Sequence, residues 1–221
     1  MGKLVLYGIE MSPPVRATVL TLKALNIPYE FKFVNLFEEH DKEEYRRINP
    51  TGTVPALDDN GQFISDSHAI NAYLVSKYGK DDSFYPKDLV KRAAVDQLLH
   101  YDTGVVFERT LRYIARPIFL ENKTNIPQYK IDMIVEVYET VNNFLKDKPY
   151  VVGNHLTIAD FSLISSISTL QVYLVSDPIK YPNLVAWIKR LEQLPYYEEA
   201  NGKPGKKAEE MIRAKNIKIV P

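Results

Sequence analysis

The first 36 residues of the chain place a helix-forming segment between two strand-forming segments. Lys3–Tyr7 is a run of mostly apolar, β-favouring residues, and Tyr29–Leu36 is a second one. Between them, in Pro13–Leu25, apolar residues recur at the three- and four-residue spacing of a helix. A helix that connects two strands through short links brings those strands together in parallel, so this segment predicts a βαβ unit.

The residues that follow predict an antiparallel hairpin and a further helix. Asn60-Gly61 lies between the apolar stretches Val54–Leu57 and Phe63–Ile64, where Asn-Gly is a strong signal for a tight turn. We expect a short charged helix before the hairpin, over Glu38–Ile48, and another helix after it, over Ser65–Tyr78. The order of elements is therefore βαβ followed by ββα, which makes a small mixed sheet with helices.

The pattern changes after residue 80. Residues 81–88 break the periodicity and are typical of a linker, and strand signals nearly vanish beyond them. Helical patterns follow over Leu89–Arg116, Gln128–Leu145, Ile158–Val175 and Asn183–Leu191. The predicted fold class is α+β, with one domain over residues 1–80, a linker over 81–88 and an all-helical domain over 89–221.

Charge and cysteine usage argue against several kinds of site. Lysine plus arginine number 28 and aspartate plus glutamate also number 28, so no overall basic field favours nucleic acid or an anionic membrane. The chain has no cysteine, which rules out disulfides, thiolate metal ligands and a cysteine nucleophile. No apolar stretch approaches the ~18 residues of a membrane span, and no leader-like segment precedes the first strand. We therefore expect a cytoplasmic protein without a metal site.

A serine followed by two prolines stands where the first strand gives way to the helix. Proline fits the first helical position because it needs no N–H there, and it pushes the preceding residue out of the helical conformation. Ser12 is thus expected to be the N-cap, with Pro13 as the first helical residue. Its hydroxyl would either cap the helix or, helped by the positive end of the helix dipole, donate a hydrogen bond to a thiolate.

Two further stretches, Val54-Pro55 and Asp66-Ser67, contain residues that could either shape the backbone locally or bind a ligand. A cis Val54–Pro55 bond would present the backbone N–H and C=O of Val54 to an extended peptide ligand, and the sequence leaves that isomer open. Asp66 and Ser67 are good helix caps. Ser67 could equally bind a ligand carboxylate at the helix start, and Asp66 could pair with a ligand ammonium.

Together, these motifs resemble the glutathione-binding half of a glutathione transferase. The helical half adds Gly153–Phe161, which is similar to that family's capping-box motif, with Thr157 as the cap and Asp160 reaching back to it. Within the family, the chain resembles the insect epsilon class, with the insect delta class as the near alternative. The motifs that carry this resemblance are Leu6-Tyr7-Gly8 followed by Ser12-Pro13-Pro14, then Asp66–Ile70, Tyr85–Asp88 and Leu194–Asn201.

The resemblance implies a thioredoxin-like first domain that binds glutathione and a helical second domain that binds a small hydrophobic electrophile. Ser12 would stabilise the glutathione thiolate, Asp66 would take the γ-glutamyl amine and Ser67 its carboxylate. The implied glutathione-binding residues are His40, Thr53, Val54, Pro55, Asp66, Ser67 and His68. The implied activity is conjugation in the detoxification of xenobiotics or peroxidation products, carried out by a homodimer.

The electrophile is expected between the domains, where clefts usually lie. Its expected lining is Ile9, Leu36, Phe37, Phe107, Arg109, Leu111, Arg112, Phe119 and Met211. Arg109 and Arg112 lie one helical turn apart, so either could match the family's arginine in the cleft. Gly52 departs from the family, because these insect enzymes usually carry a histidine there. A carrier of hydrophobic ligands without turnover therefore stays open as an alternative, as does a glutathione-dependent isomerase or dehydrohalogenase.

Overall fold

The computed structural model describes residues 4–36 and 38–221. The elements of its first part are β1 (Leu4–Gly8), α1 (Pro13–Ala24), β2 (Tyr29–Phe33), α2 (Glu39–Arg46), β3 (Ala56–Asp59), β4 (Gln62–Ser65) and α3 (Ser67–Tyr78). The strands form one mixed sheet in the order β2-β1-β3-β4. β1 pairs with β2 in parallel and with β3 antiparallel, and β3 and β4 form an antiparallel hairpin. The predicted βαβ unit and hairpin are thus confirmed.

Helix α1 fills the space between the sheet and the rest of the chain. On one side, Val15 and Leu22 are buried in a cluster with Leu4 and Leu6 of β1. On the other side, Leu20 belongs to the core of the helical part. Because α1 is covered on both sides, it lies at the boundary between the two parts of the molecule.

The second part of the chain is helical. Its elements are α4 (Leu89–Tyr101), a π-helical segment named π1 (Asp102–Arg112), α5 (Tyr113–Leu120), β5 (Asn125–Pro127), α6 (Gln128–Phe144), α7 (Ile158–Leu170), α8 (Pro182–Glu192), a second π-helical segment named π2 (Glu198–Gly202), α9 (Lys203–Arg213) and β6 (Lys218–Val220). Helix α7 is buried along almost its whole length and forms the centre of this part. Among the described residues, no helix is both long and apolar enough to cross a membrane.

The start of α7 shows the predicted capping box in a buried setting. Asp160 is buried, and one of its carboxylate oxygens accepts a hydrogen bond from the backbone N–H of Thr157 at 2.9 Å. The other oxygen accepts from the backbone N–H of Val151 at 3.0 Å and from Nε1 of Trp187 at 2.9 Å. The motif therefore ties the start of α7 to α8 and to the preceding loop.

Two features of the second part differ from the expectation drawn from the sequence. The single helix expected over Leu89–Arg116 is divided into α4, π1 and the beginning of α5. Strands β5 and β6 were not predicted, and they pair in parallel with Ile126 opposite Ile219. Each has three residues, which is too short for a period of two to be recognised, and their pairing joins distant segments of the chain.

Candidate active site

A pocket of about 190 Å³ opens between the sheet and the helical part. From the first part, the lining residues are Pro14, Thr53, Val54, Asp66, Ser67 and His68. From the second part, they are Asp102, Thr103, Phe107, Glu108 and Arg112, all of which lie on π1. The pocket therefore brings together most of the predicted glutathione-binding residues and two of the residues predicted for the electrophile, Phe107 and Arg112.

Ser12 lies at the start of α1, two residues before Pro14. Its φ of −67° and ψ of 125° are those of an N-cap, and Pro13 is the first helical residue, as predicted. Within the described chain, the Ser12 side chain makes no capping hydrogen bond. An N-cap hydroxyl accepts from the N–H of the second or third helical residue, and Pro14, the second, has no N–H to donate. The third helical residue, Val15, keeps its N–H, but the half-buried Ser12 hydroxyl makes no bond to it.

The loop before β3 is held by two buried side chains. Nδ2 of Asn49 donates to the backbone oxygen of Thr53 at 2.6 Å, and the hydroxyl of Tyr45 donates to the same oxygen at 2.8 Å. Burial raises the pKa of Tyr45 to about 12, so its hydroxyl stays protonated at neutral pH. These bonds fix the backbone immediately before Val54, whose peptide bond to Pro55 is cis.

The start of α3 is capped by Asp66. Oδ1 of its carboxylate accepts hydrogen bonds from the backbone N–H of His68 at 2.9 Å and of Ala69 at 3.2 Å. Asp66 has a φ of 73°, a value that residues other than glycine rarely adopt and that is often kept at functional sites. Both of these hydrogen bonds go to Oδ1, so the second oxygen of this exposed carboxylate, Oδ2, takes no part in capping α3. Ser67, the first residue of α3, is buried beside it.

His68 connects the two parts of the molecule at the pocket. Its Nε2 lies 3.1 Å from Oδ2 of Asp102, and its Nδ1 lies 3.0 Å from Oγ1 of Thr103. Asp102 is buried, and its Oδ1 has no hydrogen-bond partner in the described part of the chain. Asp102 and Thr103 were not predicted from the sequence, because nothing in their local pattern marks them as partners of a histidine on another helix.

The geometry of π1 decides which of its side chains reach the pocket. Backbone bonds in a π-helix run from residue i to residue i+5, so side chains five positions apart share a face. Asp102, Phe107 and Arg112 are spaced in this way, and all three line the pocket. Arg109 instead pairs with Glu136, with 2.8 Å between Nη2 and Oε2. Arg112 is thus the arginine in the pocket, and the α-helical spacing that made Arg109 its neighbour does not apply.

Comparisons with known proteins identify the family. The N-terminal domain of glutathione S-transferases matches residues 6–82, and the C-terminal domain of the same family matches residues 99–195. Glutathione S-transferase 1 of Manduca sexta is 39% identical to this chain over 95% of it and 97% of its own length. The chain belongs to the glutathione transferase family.

Solved structures place this transferase among the epsilon-class enzymes. An epsilon-class glutathione S-transferase from the housefly, Musca domestica, is 56% identical, with a TM-score of 0.96 over 98% of this chain and 100% of its own. A glutathione transferase homologue from Drosophila mojavensis with bound glutathione is 55% identical, with a TM-score of 0.95 over 100% of both chains. A delta-class structure matches at only 32% identity. The resemblance to the epsilon class is therefore confirmed.

Some residues predicted for the site of this transferase lie away from the pocket lining. In the described part of the chain these are Ile9, Ser12, Leu36, Pro55, Arg109, Leu111, Phe119 and Met211. Leu111 is buried in the helical core, and Met211 is exposed on α9. Phe37 lies outside the described residues, as does the side chain of His40, whose backbone is in α2.

Pro14, Asp102, Thr103 and Glu108 line the pocket without having been predicted. Glu108 pairs with Arg112 at 2.6 Å between Oε1 and Nη1, and both side chains are almost half exposed at the pocket. Among the residues that the structure describes, no group of three or more His, Asp or Glu side chains could hold a metal ion. The chemistry available here is that of hydrogen-bond donors and acceptors, helix starts, the His68–Asp102 contact and the Glu108–Arg112 ion pair.

Proposed function

We propose that this transferase conjugates the thiolate of glutathione to small hydrophobic electrophiles, as in the detoxification of xenobiotics or peroxidation products, and that the Ser12 hydroxyl stabilises the thiolate. The observation that carries the proposal is that Ser12 stands at the start of a helix at the domain boundary while its side chain stays out of the capping of that helix. The Drosophila mojavensis relative was solved with bound glutathione, which supports the choice of co-substrate.

The start of α1 is a favourable place for a sulfur anion. A free thiol titrates near pH 8.5, and only its thiolate attacks electrophiles well. The helix N-terminus carries roughly half a positive charge, and a hydroxyl at that place can donate to the anion. Together these effects would lower the thiol pKa by about one to two units, at ~1.4 kcal/mol per unit. The thiolate fraction at neutral pH would then rise by about one order of magnitude.

The peptide part of glutathione would lie along the loop before β3 and the start of α3. The backbone of Val54 would pair with the cysteinyl residue as a neighbouring strand would. The oxygen of Asp66 that does not cap α3 would receive the γ-glutamyl ammonium, and Ser67 with the helix N-terminus would hold the γ-glutamyl carboxylate. The glycyl carboxylate is assigned to His40, and the rest of the proposed set is Thr53, Pro55 and His68.

The reaction itself requires no covalent bond to the protein. The thiol proton is lost to solvent, and the sulfur lone pair then forms a bond to the electrophilic carbon. The bond from that carbon to the leaving group breaks, and the leaving group departs with the electron pair. Ser12 keeps its proton throughout because it acts as a hydrogen-bond donor, so it needs no general base. Proximity of the two reactants in the pocket supplies the remaining acceleration.

The electrophile would bind on the π1 side of the pocket. Phe107 offers an aromatic surface there, and Arg112 offers a positive charge for a leaving group or an electron-withdrawing substituent. Glu108 shares that charge through the ion pair with Arg112, so a neutral apolar molecule is favoured over a strongly anionic one.

The experiment that tests the proposal is conjugation of glutathione to a generic aryl halide by the wild type, Ser12→Ala and the matched Ser12→Thr. We expect kcat/KM to fall about 100-fold in Ser12→Ala, as for removal of one donor to a reacting anion. Ser12→Thr keeps the hydroxyl and should keep most of the activity. Equal activity in the wild type and Ser12→Ala would rule out the role of the hydroxyl. The change should appear without a comparable loss of glutathione affinity, which a binding titration measures.

A carrier of hydrophobic ligands is the second candidate, and Gly52 is the observation that favours it. Gly52 has a φ of 65°, which glycine adopts freely, and it lacks the side chain that a histidine would direct at glutathione. Saturable glutathione binding without turnover of any electrophile by the wild type would support this reading. Double-bond migration or loss of a hydrogen halide with regeneration of glutathione would instead identify an isomerase or a dehydrohalogenase.

We further propose that the enzyme is a cytoplasmic homodimer. Leu89 and Val90, the first two residues of α4, are 79% and 80% exposed, and Phe63 of the edge strand β4 is 48% exposed. Contiguous exposed apolar side chains are typical of surfaces that another chain covers, and Leu89 and Val90 are neighbours on α4. Light scattering should give twice the mass of one chain, and Leu89→Glu together with Val90→Glu should shift the mass towards that of one chain if these residues lie in the interface.

A further inference from the structure

Arg16 carries a buried positive charge. It is the fourth residue of α1, and only 1% of its surface is exposed. Its guanidinium donates hydrogen bonds to Oδ1 of Asn201 at 2.8 Å, the backbone oxygen of Ser165 at 2.8 Å, Oγ of Ser168 at 3.3 Å and Oγ1 of Thr169. All of these groups are neutral. Among the described residues, no carboxylate pairs with the guanidinium, and its Nε has no hydrogen-bond partner.

Burying a charged side chain without an oppositely charged partner lowers the stability of the folded protein. A buried charge is normally paired, because the hydration it loses is not recovered from neutral hydrogen bonds alone. Burial lowers the pKa of Arg16 to about 10, so the guanidinium remains charged at neutral pH. The titratable group that acts on it is Tyr197, whose own pKa is raised by burial and which is therefore neutral at that pH.

Arg16 shares the first turn of α1 with Ser12. The backbone N–H of Arg16 donates to the oxygen of Ser12 at 3.0 Å. The guanidinium itself lies against Ser165 and Thr169 of α7, so its charge is buried beside the first turn of α1. Its full charge therefore adds to the half charge of the helix dipole, in a region that salt screens little.

We propose that the buried charge of Arg16 stabilises the glutathione thiolate at Ser12, acting through space without contact. This inference rests on the proposed function of Ser12. A unit charge about 10 Å from a titrating group, at an effective dielectric constant of about 20, shifts the pKa of that group by roughly one unit. A fixed positive charge thus stabilises the thiolate but not the neutral thiol, and this difference lowers the pKa of the thiol.

The experiment follows the ultraviolet absorbance of the bound glutathione thiolate against pH in the wild type and in Asn201→Asp. The new carboxylate would lie against the guanidinium, where Oδ1 of Asn201 is now 2.8 Å away, and would neutralise its field. We expect the pKa of the bound thiol to rise by about half a unit to one unit. The melting temperature should not fall, because the variant replaces a neutral hydrogen bond by an ion pair. A merely structural role for Arg16 predicts no change in the thiol pKa.

Two further variants make the test specific to charge. Arg16→Met removes the cation while keeping an apolar stem, and its folded fraction should show the same rise in thiol pKa as Asn201→Asp. Ser168→Ala removes one neutral hydrogen bond to the same guanidinium and should leave the thiol pKa unchanged. An equal rise in Ser168→Ala would show that loosened packing, not charge, is responsible, and would overturn the inference.

The outcomes separate this inference from the proposed function. A wild-type thiol pKa that is lowered, raised by Ser12→Ala and unchanged by Asn201→Asp would overturn the role of Arg16 and leave that of Ser12 standing. A wild-type thiol pKa equal to that of free glutathione would remove the proposed function and this inference together. Rises in both Ser12→Ala and Asn201→Asp support both.

Discussion

Helices α1 and α7 both begin with a hydroxyl residue at the N-cap, yet the two helix starts serve different purposes. At α7, Thr157 belongs to a buried capping box in which the carboxylate of Asp160 accepts from backbone and side-chain donors. At α1, two prolines occupy the first two helical positions, and the Ser12 hydroxyl stays out of the capping pattern of the described chain. The comparison teaches that a cap residue whose side chain makes no capping bond, here with proline in place of one of the two possible donors, is left available to a ligand.

The largest effect is expected at the start of α7. Asp160→Ala leaves the N–H groups of Thr157, Val151 and Trp187 buried without their acceptor. Since each unsatisfied buried donor costs about 1–3 kcal/mol, the free energy of unfolding should fall by ~3 kcal/mol or more. Urea denaturation measures this change. A loss below ~1 kcal/mol would show that the hydrogen bonds of Asp160 contribute little to the stability of the fold.

The start of α3 should fall between the two extremes, because Asp66 both caps and faces the pocket. Asp66→Ala should lower the free energy of unfolding by ~1 kcal/mol, the usual value of an N-cap, and should also weaken glutathione binding. Asp66→Asn is the matched variant, since it keeps an oxygen for the cap and loses the charge. It should retain stability while the Kd for glutathione rises about tenfold, as for loss of one charge-assisted bond. Unchanged glutathione binding in both variants would contradict the dual role.

Much of this first part of the fold could be predicted because its signals are local. Asn60 and Gly61 have φ values of 55° and 86°, the left-handed conformations that Asn-Gly favours in a tight hairpin. Ser12 before Pro13 predicted a helix start, and the structure begins α1 at that proline. In each case the residues that determine the conformation are the ones that adopt it or their immediate neighbours in the chain.

The remaining features depend on partners that are distant in sequence or on an unusual helical period. The bond from His68 to Asp102 joins α3 to π1, and the pairing of β5 with β6 joins the middle of the chain to its tail. The π-helical period of π1 cannot be recognised in the apolar pattern, because that pattern fits an ordinary helix over the same residues. The choice between Arg109 and Arg112 therefore needed the structure.

A smaller effect is expected when a capping donor is returned to α1. Pro14→Ala restores the N–H of the second helical residue, so the Ser12 hydroxyl can accept from it and will orient towards the helix. We expect kcat/KM for conjugation to fall about threefold, which corresponds to ~0.6 kcal/mol in transition-state stabilisation. Pro13→Ala is the control, because an N-cap side chain does not reach the N–H of the first helical residue. Equal losses in the two variants would point to altered packing.

The smallest effect is expected on the stability of the Ser12→Ala variant. Loss of an N-cap side chain ordinarily costs ~1 kcal/mol, and Ser12 should cost less than ~0.5 kcal/mol because its side chain does not cap in the described structure. Urea denaturation of the wild type and the variant measures the difference. A loss of 1 kcal/mol or more would show that the hydroxyl caps α1 in solution, and the contrast between α1 and α7 would disappear.

The π-helical turn of π1 has a consequence for how the pocket changes between relatives. Removing one residue from a π-helical turn returns the backbone bonds to the tighter α-helical pattern, so deleting one residue from Asp102–Arg112 would rotate the residues beyond the deletion relative to those before it. Such a deletion near Gly104, beside which a Cβ would find open space, would move Phe107 and Arg112 off the face they share with Asp102 without changing any of the three side chains. Two enzymes with the same amino acids at the pocket positions could thus accept different electrophiles, because this segment is one residue shorter in one of them.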